Sequence, residues 1–248
     1  MKTNKILLLA TYGMEIVECG GTLAKHARNG GGAEAAVALS RAESREQVLN
    51  AAGVLGVNVR FLDFTSGELH SDRESKIQVV RVIRETRPEI IIAQDPEHSF
   101  LDFDPDRREA MILYIEAISL AARDWQLTEC GNLAPHSIDS LYFMTPEKPN
   151  CVVDIGSYFS LKEEAMSKLT NQLGFSAQVL GGKIPEDAMR SILSDYEKVK
   201  DDPAALGRAL HREMDRAYHL YHGLISHTGF ALAEPYRKAE KFELDYLV

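Results

Sequence analysis

KILLLA, residues 5–10, is a run of apolar positions with no polar alternation. Such a run predicts a strand covered on both faces, the form strands take in parallel sheets. AEAAVAL at 33–39 and EIIIA at 89–93 repeat the pattern, and VNVRFLDF at 57–64 alternates and predicts a strand between them. Helical spacing fills the gaps. Residues 42–55 predict a helix with Ser44 and Gln47 as a capping pair and Gly56 as its stop. Ile77, Val80 and Ile83 predict a second helix over 75–87, ended by Pro88. Residues 106–122 predict a long helix, apolar over most of its circumference and packed deep against the sheet. Gly20 and Gly21 mark where the helix after the first strand comes close to the sheet.

Further strands are predicted at 138–144 and 151–155, and a helix at 158–171. The tail changes character. Two amphipathic helices, 187–199 and 204–225, are separated by Asp-Asp-Pro, and the second carries Leu206, Leu210, Met214, Ala217, Tyr221 and Leu224 along one stripe. Residues 228–248 are mixed and predict a segment that wraps the surface or a neighbour. Strand and helix alternating through the first 125 residues predict an α/β fold: a Rossmann-like, doubly wound, mostly parallel sheet with helices on both faces and a C-terminal helical extension. The expected organisation is one domain over 1–248, with the core in 1–180 and the extension in 181–248.

The bulk composition narrows the partners. The 248 residues are 45% hydrophobic and 26% charged, enough for a sizeable core. A net charge of −9 argues against nucleic acid, whose phosphates need a basic face. Three widely spaced cysteines give neither a disulfide framework nor a zinc pattern. The short N-terminal apolar run is too brief for a signal segment, and no stretch is long and apolar enough for a membrane span. A cytoplasmic protein with a small-molecule ligand and no membrane partner is the expectation.

In open α/β sheets ligands bind beyond the carboxyl ends of the strands, where the strand order reverses. That places the turn after Ala10 opposite the loop at 94–109, which holds His98, Asp102, Asp104, Asp106, Arg107 and Arg108. A polar loop meeting a polar turn there predicts a site, and Asp104 or Asp106 also reads as the cap of the long helix, with Pro105 in its first turn.

Five segments, in order, resemble the LmbE-like or PIG-L superfamily of N-deacetylases. They are KILLLA through GGTLAKHARNG, SRAESREQVLNAAGVLGVNVRFLDFTSGEL, RPEIIIAQDP with DFDPDRREA, PNCVVDIGSYFSLKEEAMSKLTNQ, and GFALAEPY. The resemblance implies a zinc-dependent deacetylase whose metal sits on the histidine and second aspartate of A-H-P-D-D-E and the second histidine of H-P-D-H. Carried over, those ligands fall on Thr11, Met14 and Arg107, the general base on Gly13 and the assisting histidine on Asp104. Glu15 keeps the first motif, and Pro105, Asp106 and Arg108 keep the second. A hydroxyl, a thioether and a guanidinium are poor partners for zinc, so no metal and no cofactor are expected there.

Two readings follow. In the first, Arg107 and Arg108 bind an anionic or sugar-like ligand, with Thr11, Tyr12, His98 and His136 as further contacts and Glu15, Asp104 and Asp106 as acid/base groups. In the second, Arg107 pairs with Glu15 or Asp104 and the protein is a silent binding or assembly protein. Asp215, His219 and His222 share one helix face with a spacing that could hold a transition metal. Phe230, Leu232, Tyr236, Phe242 and Tyr246 add apolar surface and predict a homo-oligomer.

Overall fold

The computed structural model describes residues 4–239. Strand β1 (Lys5–Tyr12) leads through the short helix α1 (Glu15–Glu18) into α2 (Gly20–Arg28). Then follow β2 (Gly32–Leu39), α3 (Ala42–Leu55), β3 (Asn58–Phe61), α4 (Arg73–Thr86), β4 (Ile90–Gln94), α5 (Pro96–Leu101), α6 (Pro105–Ala121), β5 (Ser140–Met144) and β6 (Cys151–Asp154). The C-terminal part contributes α7 (Phe159–Lys168), α8 (Thr170–Gly181), α9 (Glu186–Ile192), α10 (Tyr196–Val199), α11 (Pro203–Leu220) and β7 (Ala233–Lys238).

All seven strands share one sheet, in the order β3-β2-β1-β4-β5-β7-β6. β1 pairs in parallel with both β2 and β4, so the strand order reverses between β1 and β4. β7 runs antiparallel between β5 and β6. Alternate residues of β1 feed different cores. Leu8 and Ala10 pack with Ile16, Leu23 and Val48 on one face, and Leu7 and Leu9 with Val79, Leu113 and Tyr114 on the other. That double burial is the reason for the unbroken apolar run.

Several local expectations are corrected. Ser44 and Gln47 do not cap α3: their side chains accept hydrogen bonds from Asn171 Nδ2 (3.1 Å) and Asn171 N (2.9 Å), tying α3 to α8. Gly56 does end α3, in the left-handed region at φ 75°. The helix expected at 158–171 breaks at Leu169 and that at 187–199 breaks after Ile192. α6 is more one-sided than its composition implies, burying Ala110, Leu113, Tyr114, Ala117 and Ala121 while Ile112 is exposed. The mixed tail supplies a strand, β7. Of the residues expected to make shared apolar surface, Tyr236 is buried, Leu232 half-buried and Phe230 exposed, while Phe242 and Tyr246 lie outside the described residues. Among the described residues no helix is long and apolar enough to cross a membrane.

A smaller core joins Ala177, Met189, Leu193, Tyr196, Leu206 and Leu210. α11 approaches α8 so closely that a Cβ on Gly207 would lie 2.0 Å from the Leu173 carbonyl oxygen. That atom belongs to a helix backbone and cannot swing away. Gly207→Ala is expected to cost about 2 kcal/mol and to lower the melting temperature by about 4–8 °C. A thermal melt checks this, and an unchanged midpoint would mean that the two helices separate freely.

Candidate functional site

The reversal point carries the turn after β1, the loop after β4 and Thr145 just past β5. Met14 starts α1, which brings Glu15 back under the end of its own strand. Glu15 is fully buried and accepts hydrogen bonds from the backbone N–H of Thr11 (2.7 Å) and Tyr12 (3.4 Å). Burial pushes its carboxyl up to about 8, helped by the nearby Glu18 charge and opposed by Arg107. Burial also raises the carboxyl of half-buried Glu18, against the pull of Arg107 and Lys162.

The loop after β4 is built on successive aspartate turns. Asp95 caps α5 by accepting from Glu97 N (2.9 Å), Asp102 accepts from Asp104 N (2.9 Å), and Asp104 caps α6 by accepting from Asp106 N (2.9 Å). Asp104 therefore fills the capping role, with Pro105 in the first turn. Its other oxygen accepts from the Tyr12 hydroxyl at 2.7 Å, joining the two halves of the site across 92 residues. Burial and the Asp104 charge raise that phenol further above its ordinary value.

Arg107 leaves the first turn of α6 and its guanidinium lies 5.5 Å from the centre of the Tyr12 ring. Nη1 reaches Asp102 Oδ2 at 3.4 Å. Burial would lower its proton affinity, but Glu15, Glu18, Asp102 and Asp104 together hold it above the ordinary value. Tyr12, Glu15, Asp104 and Arg107 thus form one cluster, with Thr11 under it through its backbone.

Other candidates stand apart from that centre. Asp106 is buried and turned toward the loop before α4, where it accepts from Gly67 N (2.8 Å) and Ser66 Oγ (3.3 Å). Arg108 donates to the Asp102 carbonyl. His98 pairs with Glu147 at 3.0 Å on the rim. His136 lies at the opposite end of the sheet, its Nε2 2.6 Å from the Pro88 carbonyl that precedes β4. Asp215, His219 and His222 do not converge as ligands: His219 Nδ1 donates to the Asp215 backbone carbonyl at 2.5 Å, and the His222 ring packs 4.7 Å from Tyr218.

The sequence reading missed the second half of the site. Glu18 borders a small cavity with Cys19, Met144, Thr145, Tyr218 and His219. Beneath it Glu234 of β7 accepts from Gly21 N and Thr22 N, both at 2.8 Å, at the start of α2. Lys162 Nζ donates to Glu234 Oε1 at 3.1 Å and to the Glu18 carbonyl at 2.6 Å, and the Tyr236 hydroxyl donates to Glu234 Oε2 at 3.1 Å. Burial alone would raise the Glu234 carboxyl, but the Lys162 ammonium holds it well below the usual range. One signal for Glu18 was present: it follows Glu15 by three residues, one helical turn on.

The positions that the resemblance assigns to zinc hold a hydroxyl, a thioether and a guanidinium, a donor set that does not fit that metal. The base position is also closed by packing, since a Cβ on Gly13 would lie 2.4 Å from Val48 Cγ2. Among the described residues no group of three His, Cys, Asp or Glu side chains could hold a metal ion.

No family model matches the chain. Diacetylchitobiose deacetylase of Thermococcus kodakarensis is 34% identical over an alignment of 176 residues that covers 69% of this chain and 62% of that relative. Among solved structures, N,N'-diacetylchitobiose deacetylase from Pyrococcus horikoshii superposes with a TM-score of 0.69 at 20% identity, over 96% of this chain and 84% of that one. The 4-carboxy-2-hydroxymuconate hydratase of Pseudomonas putida gives 0.67 at 17% identity, over 99% of this chain and 100% of that one. At these identities the solved structures bear on the fold alone.

Proposed function

Because this chain belongs to the LmbE-like/PIG-L superfamily, we propose that it binds a small polar, sugar-like or anionic ligand in a zinc-free version of the deacetylase site and acts on its carbon–nitrogen bond. The observation that carries the reading is the fixed guanidinium of Arg107, half-buried against Tyr12 among four carboxyl groups. A guanidinium held this way offers paired N–H donors to a carboxylate, phosphate or carbonyl oxygen. Glu15, carrying its proton up to about pH 8, is the group that can give one up beside it. Related deacetylases act on diacetylchitobiose, which supports a sugar-like substrate.

The test is a thermal-shift panel of N-acetylated amino sugars, sugar phosphates and dicarboxylates, with zinc measured on the same purified protein. A binder at a hundred times its Kd adds about 2.7 kcal/mol of stability. Arg107→Leu is expected to weaken that binding at least about tenfold, the loss of one charged hydrogen bond. Stoichiometric zinc in the protein would overturn the reading. The pairing of Arg107 with Asp102 and of Tyr12 with Asp104 favours the alternative, a silent scaffold, which predicts no response to any member of the panel.

A further inference from the structure

We propose that the cavity beside His219 holds one ordered water, and that Nε2 of His219 is its proton acceptor. This deepens the function proposed above and rests on it for the chemistry, though not for the water.

The cavity is about 20 Å³ in volume, room for a single water. Two polar atoms on its wall, His219 Nε2 and Thr145 Oγ1, are buried and have no hydrogen-bond partner among the described residues. Left bare, each would give up its hydrogen bonds to bulk water with nothing in return. A water there accepts from the Thr145 hydroxyl and donates to Nε2, which gives both wall atoms a partner, and its second hydrogen is free to turn toward Glu18 on the same wall.

The histidine is set for that role. Its Nδ1 lies 2.5 Å from the Asp215 carbonyl oxygen, which can only accept, so Nδ1 carries the hydrogen and Nε2 is the nitrogen left for the water. Phe159 and Tyr218, with ring centres 5.9 and 5.4 Å away, fix its orientation. Glu234 Oε1 lies 3.8 Å from Nε2, beyond hydrogen-bond reach but close enough to stabilise an imidazolium. The titratable groups around the ring are thus Glu18, Cys19, Asp215, Tyr218, His222, Glu234 and Tyr236.

Glu18 borders this cavity and also senses the Arg107 charge, so the water stands next to the ligand pocket. On an amide held at Arg107, one water O–H bond breaks and its proton passes to Nε2. The oxygen bonds to the acyl carbon, the C–N bond opens, and the proton returns from Nε2 to the departing nitrogen. Acid and amine are the products, with no other reactant needed.

High-resolution crystals of the intact protein test the water, and nitrogen NMR of the imidazole tests the ring. The expected result is a density peak within hydrogen-bond distance of Nε2 and Thr145 Oγ1, and a neutral ring protonated on Nδ1 at neutral pH. Thr145→Val should lose the peak and keep the ring state. A dry cavity in the wild type, or a ring protonated at both nitrogens at neutral pH, overturns the proposal. Neither measurement involves a ligand, so a failed panel at Arg107 would leave both results standing. Binding at Arg107 beside a dry cavity would sink this proposal alone.

Discussion

Lys162→Met is expected to destabilise the protein by about 3–5 kcal/mol, the cost of leaving one partner of a buried ion pair alone. Lys162 and Glu234 are 1% and 2% exposed, so no water replaces the lost ammonium. Glu234 would keep the N–H groups of Gly21 and Thr22 and the Tyr236 hydroxyl but lose its full countercharge. The double variant Lys162→Met/Glu234→Gln removes both charges and leaves a carboxamide oxygen for one of those N–H groups. It is expected to recover about 1–3 kcal/mol, a coupling typical of residues in contact. Denaturant unfolding at neutral pH reads both, and single costs that simply add would show that the pair is not coupled. The pH dependence has a sign as well. Lys162 holds the Glu234 carboxyl below its ordinary value, so its contribution is present above the unfolded carboxyl range and is lost as pH falls through the lowered folded value. Without Lys162 that folded value rises, and acid unfolding of the variant begins at a higher pH.

This ion pair also explains what the sequence could not convey. β1, β2 and β4 are legible because each is buried on both faces and its residues say so without reference to anything distant. The reversal point between β1 and β4, and the cap at Asp104 with Pro105 behind it, follow from that pattern and from local turn chemistry. β7 is different. Its residues, AEPYRK, include a proline and three charged side chains, a poor strand by composition. They enter the sheet because Glu234 meets Lys162 from 72 residues away at 3.1 Å, and Arg237 meets Asp95 from 142 residues away through two bonds of 3.0 and 2.5 Å. No local period encodes such partners. The same holds for the site. Glu15 and Arg107 were visible as residues that keep or replace a motif, whereas the cavity at His219 exists only once α11 is laid across α7 and β7. His136 fails for a related reason: it precedes β5, and residues before a parallel strand lie at the end of the sheet away from ligands.

Glu15→Gln is expected to leave stability nearly unchanged near pH 4, to raise it above wild type by about 2 kcal/mol at pH 6 and to raise it further at pH 9. Glu15 sits with no exposed surface under Thr11, and burial moves its carboxyl from the ordinary 4.5 to about 8. Folding therefore favours the protonated acid. Stability from this group is full below the unfolded value and is lost as pH rises through the folded one, the reverse of the Glu234 case. At about 1.4 kcal/mol for each factor of ten in proton affinity, full ionisation costs the folded state about 4–5 kcal/mol. Glutamine copies the neutral acid in size and keeps an oxygen for the Thr11 N–H, so it has nothing to lose as the pH climbs. Arg107 sets the size of the effect, because its charge is what holds the value down to about 8. In Arg107→Leu the glutamate should keep its proton to a higher pH, so the loss of stability should continue further up the pH scale. Unfolding curves at pH 4, 6 and 9 for the two variants and the parent decide the matter. Parallel pH profiles for Glu15→Gln and wild type would mean that Glu15 is ionised throughout. It would then be a fixed partner of Arg107, with no proton to give to a ligand.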